Sequence, residues 1–367
     1  MSADVVPERR LVLHVGLPKT ATTYLQHRLR VNTAGLARHG VRLPLDHPWS
    51  RPYQLTYRAA LDLRGMRHGL ADRDVSGRWD RLVKRTRRTR GVCLVSHELF
   101  AGATRQQAER AVEELGGAEL QVVVTARDLG RQLASGWQEA VKHGKGGTFE
   151  EYLQLAREGR LPIMRSFDLR RVLEIWGGRL SPERVHLVTL PHGSSGRDVV
   201  WGRFAEAAGI DPGWAPLEPV QTNASISVEQ AQLLRALNSR VGAEALRGGR
   251  YADLIGGVVA RASQGRGQRI ELPAHHQEWV ARRTARWQAW VARQGIQVHG
   301  SLADLDVVSA AAAQVDTDRA EVWRQTGTDA IVALLEECYQ RRRISWHLRR
   351  QQERARSYLR DTFGTAR

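Results

Sequence analysis

Short apolar segments alternate with segments of helical periodicity along the first half of the chain. Four apolar segments stand out: RLVLHV at 10–15, GVCLVS at 91–96, LQVVVT at 120–125 and RVHLVTL at 184–190. Runs of this length that are rich in leucine and β-branched residues are typical of strands buried on both faces of a parallel sheet. Leucines near helical spacing follow the first run, and further helices are predicted over about 105–115 and 129–143. This alternation predicts an α/β fold, with helices on both faces of a central parallel sheet.

Chemically distinctive residues follow three of the predicted strands. The loop GLPKTATT, residues 16–23, comes after the first strand. His97 and Glu98 come after the second strand, and Arg127 comes after the third. Because ligands of parallel α/β sheets bind at the carboxyl ends of the strands, we expect these residues to lie close together. A functional site is therefore predicted at this edge of the sheet.

The second half of the chain carries fewer signals. Ser227 and Gln230 have the spacing of a capping box at the start of a helix, and the polar loop before them is a candidate to face a ligand. From about residue 309 to the end, the sequence is helical in pattern and rich in arginine. This pattern is typical of solvated amphipathic helices that pack one stripe against a domain. We therefore predict an α/β domain over 1–305 and a C-terminal helical extension over 306–367.

The composition limits the classes of protein to which the chain can belong. No apolar run approaches the roughly 18–20 residues of a membrane-spanning helix, and the first ten residues do not resemble a signal peptide. With only two cysteines, Cys93 and Cys338, no disulfide framework is expected, and a reducing cytoplasm is the simplest location. His275 and His276 have no partner at metal-ligand spacing, so no metal site is expected.

The formal net charge of +17 comes almost entirely from arginine, since the chain has only four lysines. Such a bias is what a GC-rich genome imposes on many proteins, and it does not by itself indicate a nucleic-acid partner. A positive cleft would nevertheless attract phosphates and sulfates. Because lysine is scarce, Lys19 inside the first loop is distinctive.

The loop after the first strand has the chemistry of an anion site. A tight turn that leads from a strand into a helix presents unpaired backbone N–H groups and the positive end of the helix dipole. Lys19 adds a full charge, and the three threonines of the loop add hydroxyl donors. Aligned from Gly16 with the Walker A pattern G-x-x-x-x-G-K-[ST], the loop has Ala21 and Thr22 where glycine and lysine are required. Mg²⁺–ATP chemistry is therefore a poor fit, whereas a sulfuryl group carries less charge and has less need of a metal.

Two segments resemble the nucleotide-binding motifs of sulfotransferases. HVGLPKTATTYLQ is similar to their 5′-phosphosulfate-binding loop, whose general form is P-K-[ST]-G-T-[TS]. VVVTARDLGRQLASGWQ is similar to their 3′-phosphate-binding motif, in which an arginine at a strand end is followed eight positions later by a serine, as Arg127 is by Ser135. Further segments, such as LVSHELF and TNASISVEQAQLLRALN, resemble actinobacterial sulfotransferase-like proteins, and the resemblance covers roughly residues 10–305.

The resemblance implies a P-loop-like three-layer fold and 3′-phosphoadenosine 5′-phosphosulfate (PAPS) as the donor. It implies that the 5′-phosphosulfate is bound by the loop residues Pro18, Lys19, Thr20, Ala21, Thr22 and Thr23. Arg127 and Ser135 would hold the 3′-phosphate, and Asn223 and Ser225 would close over the donor. Ala21 stands where the family has glycine, so a positive φ at this position would strain the loop by about 1 kcal/mol.

The resemblance also suggests catalytic roles. Lys19 is expected to stabilise negative charge on the leaving oxygen. Glu98 is the expected general base, since bacterial relatives carry Ser-x-Glu at this strand end. His97 is the alternative, since cytosolic sulfotransferases of animals use a histidine in a Thr-His context that Ser96 and His97 echo. Adjacent residues on an extended strand point to opposite faces, so we expect only one of the two to face the donor.

We therefore predict an enzyme that transfers a sulfuryl group from PAPS to a hydroxyl or amine of an acceptor, such as a glycan, a lipid or a secondary metabolite. No metal is expected in this reaction, and no nucleic-acid partner. Two alternatives remain open: a nucleotide-dependent phosphotransferase and a non-catalytic scaffold that binds a nucleotide or another anion. The acceptor and the oligomeric state are left open by the sequence.

Overall fold

The structure, a computed structural model, describes residues 9–45, 53–116, 119–193, 196–219, 225–241 and 268–308. Within these residues, six strands form one all-parallel sheet in the order β2-β3-β1-β4-β5-β6. The strands are β1 Arg10–His14, β2 Val41–Arg42, β3 Val92–Ser96, β4 Leu120–Ala126, β5 Val185–Thr189 and β6 Gln297–His299. The predicted α/β fold with a central parallel sheet is thereby confirmed.

Helices connect and flank these strands. In the part of the chain that is described, they are α1 Thr22–Val31, α2 Thr33–Arg38, α3 Gln54–Leu63, α4 Asp72–Val75, α5 Arg78–Arg88, α6 Arg105–Leu115, α7 Leu129–Lys142, α8 Phe149–Arg157, α9 Met164–Phe167, α10 Leu169–Gly177, α11 Arg197–Ala208, α12 Val228–Arg240 and α13 Ala274–Val291. A short 3₁₀ helix, Glu98–Gly102, follows β3 directly.

The sequence-based elements agree closely with the observed ones. All four predicted strands are present, with ends that differ by at most one residue. The helices predicted over 105–115 and 129–143 are α6 and α7, and the capping box of Ser227 and Gln230 is present at the start of α12. The short edge strands β2 and β6 were missed, because neither contains an apolar run.

The core fixes the first helix directly behind the loop that precedes it. Val12, Leu94 and Val123, on the three central strands, are fully buried and belong to one cluster. Leu25 and Leu29 of α1 belong to the same cluster and are fully buried. Burial of each such side chain contributes about 1.5–3 kcal/mol. The position of α1, and hence of its N-terminus, is therefore set by apolar packing.

By its contacts the chain divides into two compact units. The larger unit, which holds the whole described sheet, comprises Met1–Glu139, Thr148–Ser225 and Ile270–Ala313. The second comprises Ala140–Gly147, Ile226–Arg269 and Gln314–Arg367. Within it, the Asn238 side-chain amide donates to the carbonyl oxygens of Val141 and Lys145, each at 2.8 Å. The C-terminal helical extension lies almost entirely outside the described residues and stays a prediction.

Two further expectations can be compared with the structure. Among the described helices, none is long and apolar enough to cross a membrane. Cys93 is a buried free thiol in β3, and burial raises its pKa to about 12, so this thiol is protonated at neutral pH. Cys338 lies outside the described residues.

Candidate functional site

The loop between β1 and α1 lies at the carboxyl edge of the sheet. Its first part continues the pairing of β1 with β4, because the N–H groups of Val15 and Leu17 donate to the carbonyl oxygens of Val123 and Thr125 at 2.9 and 3.0 Å. Gly16 between them has a φ of 59°, and a Cβ added there would lie 2.8 Å from the Thr22 hydroxyl oxygen. Glycine is therefore required at this position.

The second part of the loop presents the start of α1. Lys19 and Ala21 both adopt the left-handed conformation, with φ of 71° and 64°. The helix then begins at Thr22, and no side chain caps it. An uncapped helix start offers backbone N–H donors and a partial positive charge, which together favour an anion. The positive φ that would strain Ala21 is present.

A buried hydrogen-bond chain holds the loop from below. His14 is fully buried in β1, and its Nδ1 and Nε2 atoms lie 2.8 and 3.1 Å from the hydroxyl oxygens of Ser96 and Thr125. The Thr125 hydroxyl contacts the Thr20 hydroxyl at 2.7 Å, and Thr20 donates to the Leu17 carbonyl at 2.6 Å. The chain thus joins the ends of β3, β1 and β4 to the loop.

The position of each proton in this series of hydrogen bonds follows from its final acceptor, the Leu17 carbonyl. The Leu17 carbonyl can only accept, so Thr20 uses its proton there and accepts from Thr125. Thr125 therefore accepts from Nε2–H of His14, and the Nδ1 lone pair of His14 accepts from Ser96. Burial lowers the pKa of His14 to about 3, which keeps this ring neutral. The Thr20 hydroxyl is consequently turned inwards and occupied, and only its backbone N–H is left for a ligand.

The start of α7 holds the loop from the side. The Gln132 amide donates to the Pro18 carbonyl at 2.8 Å, and Arg127 Nη1 donates to the Lys19 carbonyl at 3.4 Å. Arg127 follows β4 directly, as the sequence predicts. Its side chain therefore lies against the loop that carries Lys19.

Arg127 is a half-buried cation whose hydrogen-bonding capacity is only partly used. Its Nε is buried and has no hydrogen-bond partner among the described residues. Burial, and then the neighbouring Arg131, lower the pKa of Arg127 to about 10, while Asp128 acts in the opposite direction. A guanidinium in this state gains from an anion that supplies both charge and acceptor oxygens.

One stripe of α7 faces the loop. Gln132 and Glu139, seven residues apart, both contact it: Gln132 at Pro18, and Glu139 through an ion pair of 2.8 Å between its Oε2 and Lys19 Nζ. Ser135 lies between them, three residues after Gln132 and four before Glu139, a spacing that puts side chains on one helix face. Ser135 is half-buried, and its spacing from Gln132 and Glu139 predicts that it shares the helix face that contacts the loop.

Glu98 lies beside Lys19 just after the end of β3. Burial raises the pKa of the Glu98 carboxyl, and the negative charge of Glu139 adds to this rise. Lys19 and the Thr22 hydroxyl act in the opposite direction but do not cancel it. The Thr22 hydroxyl is buried and makes no hydrogen bond of ordinary geometry in the described part of the chain. A carboxylate and an ammonium group therefore share one half-buried position at the sheet edge.

His97 has a different environment from its neighbour. Its Nδ1 accepts the backbone N–H of Leu99 at 3.1 Å, so His97 caps the 3₁₀ helix that follows. Burial, and then His68, lower the pKa of His97 to about 4. The neutral ring thus has its lone pair engaged by a backbone donor and its proton on Nε2, and its face contacts Tyr57 at a centroid distance of 5.4 Å.

The remaining predicted site residues are less informative. Thr23 is half-buried in the first turn of α1, and Ser225 is exposed. Asn223 lies outside the described residues. The sequence interpretation missed Gln132 and Glu139, although their spacing around Ser135 on a predicted helix was a usable signal.

The fold and the site together define an α/β protein whose strand–loop–helix turn has the chemistry for an anion, beside a half-buried carboxylate. Comparisons of the chain with protein-family models, with curated proteins and with solved structures found no match.

Proposed function

We propose that this chain is a PAPS-dependent sulfotransferase with a P-loop-like fold, as the resemblance of its two motifs implies. One observation carries the proposal. Arg127, a half-buried cation with an unpartnered Nε, lies against the loop that presents Lys19 and the uncapped start of α1. Two positive groups and a helix start at one sheet edge suit a ligand with two separate anionic groups, such as a 3′-phosphate and a 5′-phosphosulfate.

The loop geometry argues against Mg²⁺–ATP chemistry. Thr22, at the position of the Walker lysine, is 2% exposed and turned into the protein. Its hydroxyl lies near Gly16 and Glu98 rather than towards solvent. The charge of the loop comes instead from Lys19, inside the turn, which favours a donor whose transferred group needs no metal clamp.

In the proposed reaction, the acceptor oxygen or nitrogen forms a bond to sulfur while the bond from sulfur to the bridging phosphate oxygen breaks. That oxygen takes the bonding electrons, and Lys19 with the N–H groups of the loop stabilises the developing charge. Donors of this kind are worth about 3 kcal/mol each in other enzymes. Glu98 accepts the proton of the acceptor group.

The environment of the two candidate bases favours Glu98. Its raised pKa makes it a better proton acceptor than an ordinary carboxylate, and it lies beside Lys19. His97, in contrast, has its only lone pair engaged by the Leu99 N–H and a pKa of about 4. We assign His97 the role of fixing the 3₁₀ helix that carries Glu98.

Calorimetric binding of adenosine 3′,5′-bisphosphate, the product of the donor, tests the donor class. ADP and Mg²⁺–ATP serve as ligand controls. Arg127→Ala should weaken bisphosphate binding by ten-fold or more, since charge-assisted hydrogen bonds of a half-buried guanidinium are worth about 1.5–3 kcal/mol. Arg170→Ala, which removes an exposed arginine paired with Glu174, is the matched control and should bind like the wild type.

The outcomes separate the alternatives. Preference for Mg²⁺–ATP would favour the phosphotransferase, and absence of any nucleotide binding would overturn the donor assignment. If the bisphosphate binds but Lys19→Ala leaves conversion of PAPS unchanged, the loop has another role and the mechanism fails. If neither Glu98→Gln nor His97→Ala lowers turnover, the base lies elsewhere.

A further inference from the structure

Three side chains that could bind a metal lie close together on α8 and α13, two helices that carry none of the proposed catalytic residues. Glu150 lies at the start of α8, and His275 and His276 lie at the start of α13. His276 Nε2 is 2.9 Å from one Glu150 carboxylate oxygen, and His275 Nε2 is 3.2 Å from each of them. The ligand atoms all lie within 4.8 Å of one another. The fold thus gives the two histidines the third ligand that their sequence neighbourhood lacks.

This set of donors has the composition of a three-residue zinc site. Two imidazole nitrogens and one carboxylate oxygen are established zinc ligands, with bonds of about 2.0–2.2 Å, which place tetrahedral ligand atoms roughly 3.3–3.5 Å apart. The two nitrogen–oxygen separations, 2.9 and 3.2 Å, need to widen by only a few tenths of an ångström, and the two histidine nitrogens lie within 4.8 Å of each other. Side chains adjacent on a helix normally diverge, yet both Nε2 atoms here point at one carboxylate.

The three side chains differ in their exposure to solvent. The side chains of His275 and Glu150 are 65% and 55% exposed, so an ion and a water molecule can reach them. The His276 side chain is 2% exposed, and its ring packs edge-on against the Trp279 ring at a centroid distance of 6.3 Å. One buried ligand and two accessible ones allow an ion to bind without opening the fold.

The helix starts act against a cation, and their effect is smaller than that of the carboxylate. Each helix N-terminus carries roughly half a positive charge. Glu150 carries a full negative charge in direct contact with the site. The competing arrangement is one in which both rings simply donate Nε2–H to this carboxylate, and the experiment below separates the two.

We propose that Glu150, His275 and His276 bind one Zn²⁺ ion, which joins the start of α8 to the start of α13. A water molecule completes the coordination. This site is independent of the proposed sulfuryl transfer, and none of its ligands takes part in that reaction.

The test is titration of Zn²⁺ into the full-length, tag-free protein after chelation and dialysis, followed by calorimetry, with thermal melts in Zn²⁺ and in excess chelator. His275→Ala removes an exposed ligand, and Glu150→Gln keeps a hydrogen-bond acceptor but removes the charge. Glu278→Gln, an exposed glutamate on α13 outside the cluster, is the control. Substitution of Co²⁺ reports the coordination through its visible absorption.

We expect one equivalent of Zn²⁺, a rise in Tm that chelator reverses, and a tetrahedral Co²⁺ spectrum. Both His275→Ala and Glu150→Gln should weaken binding by about ten-fold or more, while Glu278→Gln should bind like the wild type. The proposal is overturned if there is no saturable binding, or if either ligand variant binds Zn²⁺ as tightly as the wild type, since a hydrogen-bonded cluster alone would then explain the geometry.

Discussion

Ala21 has a backbone conformation that glycine adopts without a steric penalty. The direction in which Ala21→Gly changes the stability of the protein therefore tests the conformation of the loop. With φ of 64° and ψ of 14°, Ala21 is left-handed at the position before α1. An L-residue there is disfavoured by about 1–2 kcal/mol, because its Cβ approaches the following carbonyl oxygen. Ala21→Gly removes this strain and leaves Lys19, the other left-handed residue of the loop, unchanged.

Two opposing contributions reduce the gain. Glycine makes the unfolded chain more flexible, which lowers stability by about 0.4–1 kcal/mol. The Ala21 methyl group is half-buried against the cluster that contains Leu25, and its loss removes about 0.4 kcal/mol, half the value of a fully buried methylene. The net expectation is stabilisation by about 0.5 kcal/mol, or a rise in Tm of roughly 1–2 °C for a domain of this size.

The free energies of unfolding of Ala21→Gly and of a control variant, Ala281→Gly, are compared by thermal and urea unfolding. Ala281 is an exposed residue inside α13, where the same substitution lowers stability by about 1 kcal/mol. The two variants have identical composition, and the expected difference between them is about 1.5 kcal/mol. It arises from backbone conformation and is reduced by the half-buried methyl group that only Ala21 loses.

Equal destabilisation by the two variants would refute the reasoning. It would mean that residue 21 is not left-handed in solution and that the loop differs from the one described. If Ala21→Gly is stabilised and binds adenosine 3′,5′-bisphosphate at least as well as the wild type, the alanine is a tolerated departure from the motif and not a sign of lost function.

Three other predictions concern titratable groups of the site. Glu98→Gln should abolish turnover and should raise Tm more at pH 8 than at pH 4. The reason is that burial raises the pKa of the Glu98 carboxyl, so the folded protein loses stability as the pH rises through that pKa. An equal change in Tm at both pH values would contradict this. Glu139→Gln should strengthen bisphosphate binding several-fold in calorimetry, since a competitor for Lys19 is removed; unchanged or weaker binding would show that the ion pair does not compete. Because the pKa of His14 is lowered from 6.5 to about 3, its neutral ring contributes stability that is lost as the pH falls through this range. The Tm of His14→Gln should therefore fall less than that of the wild type between these pH values. An equal fall in Tm would count against a neutral, buried His14 ring.

The fold was largely predictable because buried parallel strands leave a strong pattern. Runs such as LQVVVT are apolar throughout, and helices bracketed by Thr104 or Ser227 carry their own start signals. The edge strands β2 and β6 are two and three residues long and include Arg42 and Gln297. Their strand character comes from hydrogen bonds to a neighbouring strand, which a local pattern does not encode.

The sequence predicted where the candidate residues lie relative to the strands and helices, but not how their side chains are oriented. Motif spacing placed Arg127 after β4, where the structure has it. It did not reveal that the Thr20 hydroxyl turns inwards, because the direction of a side chain in a tight turn depends on the φ values of its neighbours. Nor could local spacing connect Glu150 to His275, 125 residues further along the chain, since only the tertiary fold brings them together.

The ion pair between Lys19 and Glu139 gives the loop an internal competitor. An incoming anion that touches Lys19 alone merely exchanges one oxyanion for another and gains little. A ligand that also reaches Arg127 and the start of α1 makes contacts that the Glu139 carboxylate does not provide. We therefore expect the ion pair to weaken the binding of inorganic phosphate or sulfate more than that of a doubly phosphorylated nucleotide, which makes more contacts at once.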